Sequence, residues 1–380
     1  MRRLIIIGAC GISALCVSQA EGASPYISEV FEFCPAPGQF VNDIPTYEEG
    51  TGEAGIMEEV RLQLCGDKKP GMVSLGMFGG YVTFGFDHQL VNVAGEYDFK
   101  IYGNSFHDGH GSNAEPGTVW VSVDANGNRL PDDPWYELAG SEYDNPATIK
   151  GYQITYYRPA AEPTGEEPEY IRWTSNNPQN PEGWLRHNMF HRQSYWPGWS
   201  DAESLTFEGT LLPPNGVKEG SNWILNSFAW GYADNQPDNE YEGFKLDWAV
   251  DSRGERIHLP AVDFIRVQCA QNQYCGALGE TSTEICGAED LHPDATPQSG
   301  VTSAADAASG PRLIAIGAGY AEIYVAEDSE GSLYSLDGRQ LRRISLAAGV
   351  NRIEVGDMGL QGGMTLLRVG SEGLKLNFRR

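Results

Sequence analysis

The chain has 380 residues, 41% of them hydrophobic, with 26 basic against 52 acidic side chains and a formal net charge of −26. The length sets an expectation of about two domains and is enough for a sizeable core. The charge excludes nucleic acid and anionic lipid as partners, since both need Lys and Arg to neutralise phosphate; it fits a solvated protein whose surplus carboxylates are offset by bound cations.

At the N-terminus, Arg2 and Arg3 precede an apolar run that begins at Leu4 and ends at Ser18-Gln19-Ala20, with small residues where a signal peptidase reads. The run is too short to span a bilayer. The pattern predicts a signal peptide over residues 1–20; Ile7-Gly8-Ala9-Cys10 offers a lipoprotein signal as the alternative. No later segment is long and apolar enough to cross a membrane, so the mature chain is expected to be soluble and exported. Cys10 and Cys16 leave with the signal, and Cys34, Cys65, Cys269, Cys275 and Cys286 remain. In an oxidising compartment they predict a Cys34–Cys65 bridge and one pair among the last three. They show no CxxC spacing, which argues against zinc.

Residues 21–70 contain YISEVFEF and are expected to pack as an outer strand pair. Beyond them come short runs separated by Gly, Asn, Asp and Pro: YVTFGF (81–86), YDFKIYG (97–103), TVWVSVD (118–124), YQITYY (152–157) and FIRVQC (264–269). Alternating Val, Tyr and Phe favour strands, and long stretches with helical period are missing. The expected fold class is all-β: a jelly-roll-like β-sandwich over 21–292, then a small C-terminal β-sandwich over 312–380. Residues 293–311 are small, polar and free of aromatic side chains, the composition of a flexible linker.

Five groups of residues carry candidate chemistry. Asp124, Asn126, Asn128, Asp132 and Asp133 form an alternating oxygen-rich loop of the kind calcium accepts, although the glycine is not where an EF-hand requires it. The same residues read equally well as an Asn-Gly hairpin with solvated acids. Asp234, Asn235, Asp238, Asn239 and Glu240, with Asp247 and Asp251, make a second acidic group, read first as a polar loop. Glu115, with Asp98 and Asn104 upstream, is a candidate to converge on a jelly-roll loop, a convergence that residue order alone does not show. In the stretch GWLRHNMFHRQSYWPGWSD, the rings of Trp184, Phe190, Tyr195, Trp196 and Trp199 are suited either to stacking on a sugar or other planar ligand or to capping one end of the sandwich. His187 and His191 are spaced i, i+4 without the HExxH of a metalloprotease, and His107-Asp108-Gly109-His110 reads as a polar loop. No GxSxG elbow or P-loop occurs, which leaves a paired-carboxylate hydrolase as the enzyme alternative to a binding or scaffold protein.

Two resemblances add to this. GGYVTFGFDHQLVNVAGEYDFKIYGNSF, EPGTVWVSVDANGNRLPDDPWYELAGSEY, WGYADNQPDNEYEGFKLDWAVD, LPAVDFIRVQ and GETSTEICGAEDLH together resemble bacterial cell-surface proteins with a jelly-roll core, some of which accompany vitamin B12 uptake and bind corrinoids. The resemblance implies a surface location, capture of a small molecule (a corrinoid, or else a glycan) and an outer-membrane transporter as partner. His187 and His191, with Trp184, Tyr195, Trp196 and Trp199, are then the expected ligand contacts. LYSLDGRQLRRISLAAGVNRIEVGDMGLQGGMTLLRV resembles the C-terminal sorting domain of type IX secretion cargo, through Leu336-Asp337-Gly338-Arg339 and the Gly349-x-Asn351 turn. It implies the secretion machinery as a second partner.

Overall fold

A computed structural model describes residues 22–108, 111–296, 310–354 and 364–378. The expected signal peptide, His110 and most of the expected linker lie outside them. The described chain is nearly all β, as expected, in several sheets whose pairings are antiparallel apart from the parallel bridge Leu225↔Asn113.

The central sheet has six strands in the order Glu29–Cys34, Tyr81–Gly85, Phe264–Cys269, Gly117–Ser122, Trp135–Leu138 and Ala249–Val250. Its period-2 alternation sorts the side chains onto two faces. Val82, Val267 and Val119 sit opposite one another across three strands, as do Phe84, Ile265 and Val121, and all are buried in the main core. The other face carries the row Glu32, Thr83, Arg266, Trp120, Glu137. Arg266 donates to Glu32 at 2.6 Å and to Thr83 at 3.0 Å, and stacks on Tyr81 and Trp135 at 4.2 and 4.1 Å.

Residues 21–70 contribute one strand of this sheet and, in place of a second, the helix Gly52–Leu64. Its apolar residues Ile56, Val60 and Leu64 recur every four positions and close the main core from one side. This corrects the expected strand pair: the signal is only three residues long and is flanked by glycines.

A second sheet, ordered Glu182–His187, Glu167–Ser175, Ile149–Tyr157 and Ser204–Leu211, encloses its own core of Tyr152, Ile154, Tyr156, Ile171, Trp173 and Leu185. Buried tyrosine hydroxyls need partners: that of Tyr156 donates to the Phe78 carbonyl, and that of Tyr152 accepts from Asn272. The last strand leans on the polar face of the central sheet, where Gln268 donates to the Glu208 carbonyl and Thr210 to Glu137.

The C-terminal strands form two further four-stranded sheets. Asp337-Gly338 makes the expected hairpin turn, with Gly338 at φ +83°. The first of these sheets takes Ile257–His258 from the body as its edge strand, paired with Arg312–Gly317. Ile314, Ala315 and Tyr320 lie in the main core, and Asp251 accepts from Tyr320 at 2.9 Å and from Arg352 at 2.6 Å.

All five described cysteines are free thiols, which corrects the expected bridges. The Gly66 N–H donates to the Ile27 carbonyl, so Cys65 sits at the start of the first strand, whereas Cys34 ends it. At about 3.3 Å per residue the two are roughly 20 Å apart, far beyond bridging distance. Cys269 faces the Gln271 and Thr281 carbonyls, while Cys286 lies beside Lys69.

Candidate functional site

The loop expected to hold calcium is organised by its own N–H groups. Asp124 accepts from Gly127, Asn128 and Arg129 at 2.7 to 3.1 Å, with Gly127 and Arg129 in the left-handed region. Asp133 accepts from Ala125, and the amides of Asn126 and Asn128 both donate to Asp132.

The aromatic stretch does not form one surface. Tyr195 and Trp196 are 0% and 3% exposed in the second core, whereas Trp184 is 42% exposed. Trp199 packs against Phe33 and Tyr47 beside a separate hollow. His187 is buried, with its ring nitrogens facing the Gly165 and Gln193 carbonyls at 2.8 and 3.3 Å, so neither nitrogen faces an open ligand position. His191 rests edge-on against Phe40, and burial pushes its pKa down.

The second acidic group disperses. Asp238 pairs with Lys69, Glu240 with His107 and Asp251 with Arg352, and Asn235 ties down the Phe228 backbone. Asp234 alone joins something larger. Glu115, Asp234 and Glu284, from three separate segments of the resemblance, bring carboxylate oxygens within 4.8 Å of one another. Asp234 adopts φ +49° and accepts the backbone N–H groups of Asn104, Ser105 and Glu284, each at 2.9 Å. Its close approach requires Gly103, where an added Cβ would lie 2.5 Å from Asp234 Oδ1. Glu284 accepts from Ser74 and Ser282 at 2.9 and 2.8 Å. Among the described residues no salt bridge reaches any of the three. Burial, then mutual repulsion, raises Glu115 and Asp234 well above the usual carboxylate range, and burial pushes Glu284 up to about 7. Such a group holds shared protons or a hard cation. Asn104 belongs to it as expected; Asp98 does not, since it accepts instead from Val93 and Leu246.

A cleft of about 650 Å³ opens at one edge of the central sheet, inside the range of roughly 300–1,000 Å³ usual for small-molecule sites. Phe31, Phe86 and Phe264 give it an apolar wall, and His88, Gln89 and Asp263 a polar one. Asp290 and Asp87 hold His88 above the ordinary imidazole range from its two ring nitrogens, 2.7 and 2.6 Å away. Gln89 donates to both oxygens of Asp263 while its own Oε1 is buried without a partner among the described residues. Burial pushes Asp263 up to about 6. Asp124 and Arg129 also line the cleft, so the loop singled out in the sequence borders the site. Sequence reading passed over His88 and Gln89 because neither belongs to a spaced motif.

No family model matches the chain, and no curated protein does. Among solved structures it is similar to a beta-glucuronidase of Faecalibacterium prausnitzii at 8% identity and a TM-score of 0.15, over 74% of this chain and 47% of the other. The chain thus spans about half the length of that enzyme, and the score supports neither a shared fold nor a shared activity. Fold and cleft together define an all-β protein with a small-molecule-sized site.

Proposed function

We propose that the chain works outside the cytoplasm as a surface binding protein and captures a small organic ligand in the cleft of Phe31, Phe86, Phe264, His88 and Gln89. The observation that carries this reading is Gln89 Oε1, a buried acceptor without a donor among the described residues, on a side chain that lines an aromatic cleft. A buried polar atom left unpaired costs about 1–3 kcal/mol, and a ligand N–H would recover that. The resemblance makes a corrinoid the first ligand to offer, since its rim of carboxamides supplies such donors and its flat ring suits the phenylalanine wall. Calcium fits Glu115, Asp234 and Glu284 better than the 124–133 loop, because the triad gathers three carboxylates within 4.8 Å with no salt bridge to any of them among the described residues, while each loop acid is matched by the loop's own amides. The C-terminal strands serve as the signal for the secretion machinery.

The test is co-elution of the mature chain with cyanocobalamin on gel filtration, read by absorbance. A stoichiometric coloured complex, weakened in Gln89→Leu and Phe86→Ala, supports capture in the cleft. No complex at micromolar protein removes the corrinoid, and a complex unchanged in both variants removes the cleft.

A further inference from the structure

The second sheet carries another cavity, which shares no lining residue with the cleft. It measures about 130 Å³ and is bounded by Trp173, Trp184, Tyr274, Asn272, Met77 and Glu280. Glu280 is 1% exposed. Its Oε1 accepts the Gln39 backbone N–H at 2.6 Å, and its Oε2 has no hydrogen-bond partner among the described residues. A fully buried carboxylate oxygen with no donor is rare in a finished core, and here the side chain that carries it is part of the wall of an open space. Burial pushes Glu280 up to about 7.

The walls are built for close contact. Trp173 and Trp184 come from neighbouring strands, paired through Arg172↔Trp184 and Trp173↔Gly183. Gly183 makes room for the Trp173 indole, since a Cβ there would lie 2.4 Å from it. This register turns the two indoles to opposite faces of the strand pair: Trp173 is buried, while Trp184 stands half in solvent and borders the space from its rim. Arg186 stacks on Tyr274 at 5.3 Å and places a positive charge beside the pocket, which disfavours a cationic occupant. A neutral ring carrying hydroxyl donors on its edge and C–H groups on its face satisfies both walls at once.

We propose that this cavity binds one neutral pyranose residue, a hydroxyl donating to Glu280 Oε2 and a C–H face resting on Trp184. The cavity is a second site, independent of ligand capture in the cleft.

The test uses the full mature chain and a panel of methyl pyranosides (glucoside, galactoside, mannoside, N-acetylglucosaminide), followed by tryptophan fluorescence and saturation-transfer NMR. At least one saccharide is expected to bind saturably. Trp184→Ala and Glu280→Gln should each weaken it about tenfold, while any cyanocobalamin complex stays unchanged. Trp184→Ala removes a half-exposed side chain, so an unaltered melting temperature certifies its fold if Glu280→Gln does not fold. The proposal is overturned if no pyranoside in the panel gives a saturable signal, if binding survives in the folded variants, or if methylammonium displaces the sugar at equal concentration.

Discussion

Two groups of acids in this molecule behave in opposite ways. Asp124, Asp132 and Asp133 are close in sequence, and the loop that carries them supplies its own N–H donors to each. Glu115, Asp234 and Glu284 come from distant segments and meet with no cation among the described residues. The first group is a locally balanced turn; the second gathers carboxyls in the interior that protons or a cation must neutralise. A run of acids in a sequence can thus be satisfied by its own loop, while a demand for neutralisation arises where the fold alone brings acids together.

The largest expected effect falls on Asp234. Asp234→Ala strands three backbone N–H groups and leaves an alanine at positive φ, so a loss of at least about 3 kcal/mol is expected in urea unfolding. A loss as small as that of a surface substitution would break the comparison.

Next comes pH. Glu284 and Glu280 titrate near 7 when folded and near about 4.3 when unfolded. Over that window the folded chain holds more protons, so this stabilisation is fully present below about pH 4.3 and is lost as pH rises through about 7. In chelator the melting temperature should fall from pH 5 to pH 8, and Glu284→Gln should flatten the slope. Calcium should raise the melting temperature at pH 8 in the native chain and not in Glu284→Gln; an equal rise in both would remove the triad as the cation's seat.

Asp124→Ala should cost about 1–2 kcal/mol, as the loss of a capping carboxylate does, and by the same amount in calcium and in chelator. A loss confined to calcium would return the cation to the loop. Smallest is Asp132→Asn, exposed and bound only by two side-chain amides, which should stay within about 0.5 kcal/mol.

The strands were legible because alternation survives in the sequence: Val82 and Phe84 face the core while Tyr81 and Thr83 face away. The Asp337-Gly338 turn was legible for its backbone chemistry alone. Tyr195 and Trp196 were not, since a proline-broken aromatic run reads the same whether it turns outward or into a core. Glu115 could be suspected, and Asn104 with it, but Glu284 lies 169 residues further on (284 − 115), and only strand pairing brings the two together. The unpaired oxygens of Gln89 and Glu280 are properties of packing and leave no trace in residue order.

The strand Ile257–His258, lent by the body to the C-terminal sheet, has a consequence for the order of events. With Ile314, Ala315 and Tyr320 it makes the last stretch of chain part of the first core. A chain synthesised N-terminus first cannot close that core until its final strands arrive. Until then one side of its interior stays open, and completed synthesis and completed folding become the same event.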